Sequence, residues 1–436
     1  MADVIQFPEQ PAPDDTPAPP FRPIGLGYVF EPAGAGVIFR ADYLKRNRDE
    51  VHGLLTVEST APGVPTHIHE ASLNFSSMQT RGSLAKTLEE RSRADFPWRD
   101  WVEQFCVSVC RKDREGEPMV PLSGYTQIAR PPDHIAQLVP YGVSTWLYGE
   151  EGSCKGHIAI AAAVCVAAGQ PFAGLKVRQT NAAYLDWEDS ADEAQFRARI
   201  VCNGLGITVP RIVYRNCRRG GPLRNQVNTL AKLLDDEGIG FLVIDSVGLA
   251  TGTSRDGASA EEGAIGLHDA INVLGRTALC IDHLSKAEAR QTAGTAKAYG
   301  SIYKLALARQ SWELRKDQED GSAEAHIGLF WGKSNRGTKR SPIGMRLHWE
   351  DDGEKLVIKR EDVRDVPVLA ERLPLWQRIR HQLQRGTFAT IASLAEDLDI
   401  PADRIRVELN RHKEVFMRQP DATEFWVLIE HRNDGP

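Results

Sequence analysis

The spacing of apolar residues changes character three times along the chain. From Ile24 to about Ser59, short β-rich runs (GYVFEP, GVIFRADYL, HGLLTVES) are separated by turn residues and predict strands. Residues 83–113 shift to helical spacing. SLAKTLEERSR opens on Ser83 as a helix cap, and FPWRDWVEQFCVSVCRKDRE carries apolar residues at intervals of three and four. From about 130 to 350, continuous apolar runs alternate with helical stretches. VSTWLY, AAYLDW (182–187), RIVYRN (211–216), GFLVID (240–245) and TALCID (277–282) predict buried strands. The helices between them are expected near 192–205, 223–237 and 260–275. Strands of this kind spaced by helices predict a mostly parallel sheet covered on both faces. SWELRK, AHIGLFWG, GMRLHWE and KLVIKR then read as antiparallel strands.

A Pro-containing link near 366–374 leads into PLWQRIRHQLQ, TIASLAEDLD, PADRIRVELNRHK and EFWVLIEHR. Three short helices and a terminal strand in this order outline a winged helix-turn-helix over 372–431. At the other end, residues 1–23 are rich in Pro and Asp and are expected to form a disordered tail. The expected organisation is therefore tail 1–23, α+β module 24–125, α/β domain 126–365 and winged helix 372–431.

Composition narrows the function classes. With 436 residues, 42% hydrophobic and 26% charged, the chain can build two or three ordinary cores. A net charge of −6 argues against indiscriminate coating of nucleic acid. Seven irregularly spaced cysteines fit a reducing compartment better than a disulfide scaffold. MADVIQFPEQ lacks a secretory pattern, and the Ala-rich 158–169 run is too short for a bilayer, so a cytoplasmic protein with no membrane partner is expected. Cys106 and Cys110 share a helix face, and His67 and His69 share a strand face. Neither pair has enough ligands for a zinc site, so structural thiols and exposed histidines are expected.

The chemistry centres on GEEGSCKGH, which joins the VSTWLY strand to the Ala-rich helix. A strand, a tight glycine turn and a helix N-terminus form a phosphate-binding grammar. Gly149, Glu150, Glu151, Gly152, Ser153, Cys154, Lys155, Gly156 and His157 are its candidate nucleotide contacts, with Lys155 the cation for the outer phosphates. Two positions depart from the pattern: Cys154 stands where glycine is usual, and Gly156 where a Mg²⁺-binding Ser or Thr is usual. Nucleotide binding is therefore better supported than fast hydrolysis. Acids and a histidine end the later strands. Asp245 suits Mg²⁺, directly or through water. Glu188 suits a general base acting on water, while neighbouring Asp189 or Ser190 can simply cap the next helix. His283 suits contact with a γ-phosphate.

Taken together, GEEGSCKG, LDWED, LVIDS and IDHLSK resemble the RecA-like ATPases over roughly 130–350. Within them the pattern is similar to the plasmid RepA type of hexameric replicative helicase, among the AAA-family phage and plasmid ATPases. The resemblance implies a RecA-like core, ATP with Mg²⁺ as cofactors, and single-stranded DNA in the channel of a homo-oligomer, a hexamer being favoured. AYGSIYKLALARQSWEL and GKSNRGTKR look like the family's segments bearing a basic residue that reaches a neighbouring subunit's γ-phosphate. By position, Arg309, Lys333 and Arg336 are the candidates. In the C-terminal module, Arg404, Arg406, Arg411 and Lys413 are candidate DNA contacts, though the acidic EDLDIPAD stretch beside them also suits a protein partner. A nucleotide-switched replication initiator or regulator, and a recombinase-like or helicase-loading ATPase, are the alternatives to a helicase.

Overall fold

A computed structural model of the chain describes residues 20–24, 26–116, 131–252, 260–284, 307–335, 340–386, 388–420 and 422–429, with single positions at 119 and 121. Two compact units form: Met1–Ala129 with Asn228–Asp236, and Arg130–Val227 with Glu237–Pro436.

In the first unit, β1 (Phe21–Ile24), β2 (Gly27–Phe30), β3 (Val37–Asn47), β4 (Glu50–Ser59) and β5 (His67–Asn74) make an antiparallel sheet in chain order. Alternate residues of β4 are buried, as a half-covered strand requires. The covering helices are α1 (Met78–Ser92) and α2 (Trp98–Glu115), whose Phe105 ring lies among Phe30, Phe39 and Phe75. Two boundaries differ from expectation. Phe21 pairs with Phe30, so the sheet starts inside the stretch expected to be tail. α1 starts at Met78 rather than at Ser83, because Ser77 is the cap and its hydroxyl accepts from the Thr80 N–H at 3.3 Å. The polar MQTRGS turn carries no apolar spacing that would mark it as helix. Cys106 and Cys110 are free and buried in this core. His69 Nδ1 lies 3.0 Å from Arg91, and no group of three or more metal-ligating side chains occurs among the described residues.

The second unit is built on a nine-stranded sheet, ordered β14-β13-β12-β11-β6-β10-β9-β7-β8. Its parallel part comprises β6 (Ser144–Gly149), β7 (Asn181–Asp186), β8 (Ile212–Asn216), β9 (Ile239–Asp245), β10 (Thr277–His283) and β11 (Gln310–Asp317). β12 (Glu324–Ser334), β13 (Ile343–Glu350) and β14 (Lys355–Glu361) extend it antiparallel. SWELRK, expected among the antiparallel strands, forms β11, which runs antiparallel to β12 but parallel to β6. The long connection from His283 to Gln310 permits that parallel return. Every residue of β6 is buried, which is why its sequence shows no alternation.

The helices of this unit follow the expected order. α3 (Lys155–Ala168) is nearly all buried, and α4 (Ala191–Leu205) packs on α3 and β14. α5 (Leu223–Asp236) comes next in the chain and is divided between the units at Val227, and α6 (Val247–Thr251) and α7 (Ala260–Leu274) follow in this one. α8 (Pro367–Ala370) precedes the C-terminal segment of α9 (Leu375–Gly386), α10 (Ile391–Leu398) and α11 (Ala402–Arg411). These three helices surround Ile379, Leu383, Leu394, Ile405, Leu409 and Trp426. Where one terminal strand was expected, three short ones pair in the order β15-β17-β16: β15 (Ala389–Thr390), β16 (Phe416–Gln419) and β17 (Ala422–Leu428). Two- and four-residue strands are too short for a period to register in sequence.

Candidate nucleotide site

The carboxyl ends of the parallel strands converge in the spatial order β6, β10, β9, β7. Parallel pairing sets Gly149 beside His283 and Asp245 beside Asp186. Ligands of open parallel sheets bind at this edge.

The loop after β6 is shaped by close approaches. A side-chain carbon at Gly149 would lie 2.6 Å from the Leu314 carbonyl oxygen, so only glycine fits there. Gly152 has φ +72°, and Cys154 has φ +68°. The backbone thus keeps the left-handed conformation that favours glycine at position 154 although the residue is cysteine. Ser153 donates to the Glu150 carbonyl at 2.6 Å and so braces the turn. Lys155 is buried, with Nζ donating to the carbonyls of Gly149 at 2.9 Å and Glu150 at 2.5 Å. Burial lowers its pKa, while Asp245, Glu188, Asp282 and Glu151 pull the other way. His157 packs edge-on against Trp349, and burial pulls its pKa down to about 4, so it is neutral near pH 7. Glu150 and Glu151 are exposed, and Glu150 pairs with Arg315 at 2.7 Å.

Beside the loop, Glu188 accepts from the Ser246 hydroxyl and lies 3.2 Å from His283 Nε2. The His283 hydrogen bond, with that from Ser246, holds the Glu188 carboxyl below its usual range. An ionised carboxylate in contact with histidine can orient or deprotonate water. Asp245 is its opposite. Burial, with Glu188 and Asp186 nearby, pushes its pKa up to about 6, although the Tyr184 hydroxyl donates to it at 2.5 Å. Asp189 does not cap α4. Ser190 does, and Asp189 pairs with Arg197 at 3.0 Å.

Residues 114–289 match the AAA domain family. The match spans less than half the chain and covers the loop, Glu188, Asp245 and His283. A KaiC-like protein from Pyrococcus horikoshii is 15% identical, over 53% of this chain and 99% of its own, with a TM-score of 0.36. No curated protein matches. The AAA-domain match supports a P-loop nucleotide-binding ATPase, in keeping with the parallel-rich α/β sheet. No helix among the described residues is long and apolar enough to cross a membrane.

The remaining expected residues lie elsewhere. Gln310 pairs with Thr145, whereas Leu314 pairs with Gly149, so Arg309 sits at the start of β6. That is roughly 15 Å from the loop end of the strand. Lys333 pairs with Ser311 at the same level, and burial lowers its pKa, with Arg309 contributing. Neither belongs to the cluster around Lys155. Arg336 lies outside the described residues. Arg404, Arg406, Arg411 and Lys413 are exposed on or just after α11. Arg406 pairs with Asp403 at 2.9 Å, and Arg411 with Glu408 at 2.6 Å.

Sequence reasoning missed Tyr184, Ser246, Arg315 and Arg197. Ser246 follows Asp245 directly and was within reach of the strand-end argument. Arg197 sits mid-helix and had no signal. The implied cofactors fit unequally. Lys155, the glycine-shaped loop and the N-terminus of α3 suit phosphate. Mg²⁺ at its usual place does not fit. Gly156 offers no hydroxyl, and a side-chain carbon there would come within 2.9 Å of Arg197 Nη1.

Proposed function

We propose that this chain is an ATP-driven motor of RecA fold acting on DNA, ring-forming and helicase-like. The observation that supports it most is the convergence of Lys155, Glu188, Asp245 and His283 at neighbouring strand ends. In this reading the loop amides and Lys155 hold the phosphates. Glu188, ionised and held by Ser246 and His283, orients the attacking water and receives its proton on Oε1 or Oε2. His283 links that carboxylate to the γ-phosphate. Arg309 and Lys333, remote from the loop of their own subunit, would serve a neighbour's site. A C-terminal winged helix would present α11 to DNA.

A second reading is a nucleotide-switched DNA-binding regulator without motor activity. The absent hydroxyl at Gly156 favours it, since binding survives that loss better than hydrolysis does. The deciding measurement is ATP turnover with and without single-stranded DNA, alongside solution mass with and without ATP. The motor reading expects DNA-stimulated turnover lost in Lys155→Ala and a nucleotide-dependent ring of about six subunits, as such motors assemble with the site between subunits. Binding without turnover above the Lys155→Ala control would refute the motor and leave the switch.

A further inference from the structure

The loop lacks the hydroxyl that usually holds Mg²⁺, and the space beside Gly156 is taken. Arg197 reaches it from α4, its guanidinium hydrogen-bonded to Asp189 and ion-paired with Glu193. Nη2 lies 3.0 Å from Asp189 Oδ2, and Nε lies 2.7 Å from Glu193 Oε1. Nη1 then falls 2.9 Å from the point that a side-chain carbon on Gly156 would occupy. Asp245 Oδ2 is 3.8 Å from the same point. A serine at 156, and a Mg²⁺ about 2.1 Å beyond its hydroxyl, would compete with the guanidinium for that volume. Gly156 and Arg197 therefore read as one arrangement, in which the residue loses its side chain where the arginine arrives.

We propose that Arg197 is a phosphate-binding residue that takes the place of the loop hydroxyl and its metal, so that this site binds nucleoside triphosphate without Mg²⁺. The inference rests on the nucleotide-site reading above. The chemistry suits the exchange. A guanidinium is always charged, offers paired N–H donors to phosphate oxygens and loses less on desolvation than an ammonium. Asp189 and Glu193 hold it in place beforehand, which reduces the ordering needed on binding. Asp245 keeps its tyrosine partner and is not required as a metal ligand. His157, neutral beside Arg197, adds no competing charge.

The test is fluorescence titration of the full chain with a ribose-labelled ATP analogue, in excess Mg²⁺ and in EDTA. Wild type is expected to bind in both, with dissociation constants within about threefold. Losing a hydrogen bond to a charged group costs about tenfold to a hundredfold in affinity. Arg197→Ala should therefore weaken binding in EDTA by at least tenfold, and Arg197→Lys by less. Gly156→Ser leaves both carboxylate partners of Arg197 intact but pushes the guanidinium aside. It should make binding Mg²⁺-dependent by tenfold or more, and it decides the matter if Arg197→Ala fails to fold. Wild-type binding lost in EDTA, Arg197→Ala equal to wild type in EDTA, or Gly156→Ser still indifferent to Mg²⁺ would each overturn the proposal. Wild-type binding in neither buffer would overturn the nucleotide site itself.

Discussion

Asp245→Asn should make the protein more stable near neutral pH and flatten its pH dependence. Asp245 is 8% exposed, and its pKa stands at about 6, raised from 3.8 first by burial and then by Glu188 and Asp186. As pH rises, the unfolded carboxyl ionises near 4 while the folded one still holds its proton. The folded state therefore binds more protons in that window, and stability falls between about pH 4 and pH 6, then levels off. A shift of about two units at 1.36 kcal/mol each is worth on the order of 3 kcal/mol, an upper figure once local relaxation is allowed. Asparagine is nearly isosteric, does not ionise, and keeps an oxygen to accept from Tyr184. Urea unfolding by tryptophan fluorescence, in EDTA without nucleotide, should show the two proteins alike near pH 4 and the variant ahead by up to about 3 kcal/mol at pH 7. Parallel stability curves from pH 4 to 7, or a variant less stable at pH 7, would refute the assignment of a raised carboxyl pKa to this position.

Three further outcomes follow from local geometry. Cys154→Gly should stabilise the fold by about 0.5–1 kcal/mol, seen as a higher urea midpoint, because φ +68° strains any residue with a side chain; an unchanged or lower midpoint would count against that strain. Gly204→Ala on α4 should destabilise by about 3 kcal/mol in thermal melts, since the new carbon would lie 1.8 Å from the Leu356 carbonyl oxygen. Arg406→Glu with Arg411→Glu should weaken DNA binding across sequences and lower the slope of log affinity against log salt by about 2. An unchanged slope in that double variant would point to a protein partner for α11.

Much of the site was legible because its grammar is local. Gly149, Gly152 and Lys155 lie within seven residues, and a strand-end acid stands out after an apolar run such as GFLVID. The order of the helices and of the parallel strands was legible for the same reason, since burial on both faces writes itself as unbroken hydrophobicity. What escaped depended on distant chain segments. β11 looked antiparallel because its sequence resembles its neighbours; only its place beside β6 makes it parallel. Arg309 was expected to reach a neighbouring subunit's phosphate, and only the register shows that it lies at the opposite end of β6 from its own subunit's loop. Ser83 looked like a helix cap because propensity rules cannot choose between two nearby serines, whereas the backbone fold selects Ser77.

By itself the sequence determined a glycine turn between a buried strand and a helix, and which acids and histidine end the neighbouring strands, because those features are set by residue type at fixed local spacing. Tertiary structure decided how they differ. Glu188 and Asp245 are both carboxylates at strand ends. Hydrogen bonds from His283 and Ser246 keep one ionised, while burial raises the pKa of the other. It also decided what stands in the gap left by Gly156. Arg197 is 41 residues away in the chain, and only the packing of α4 on α3 brings its charge to the loop, since electrostatics and excluded volume act through space.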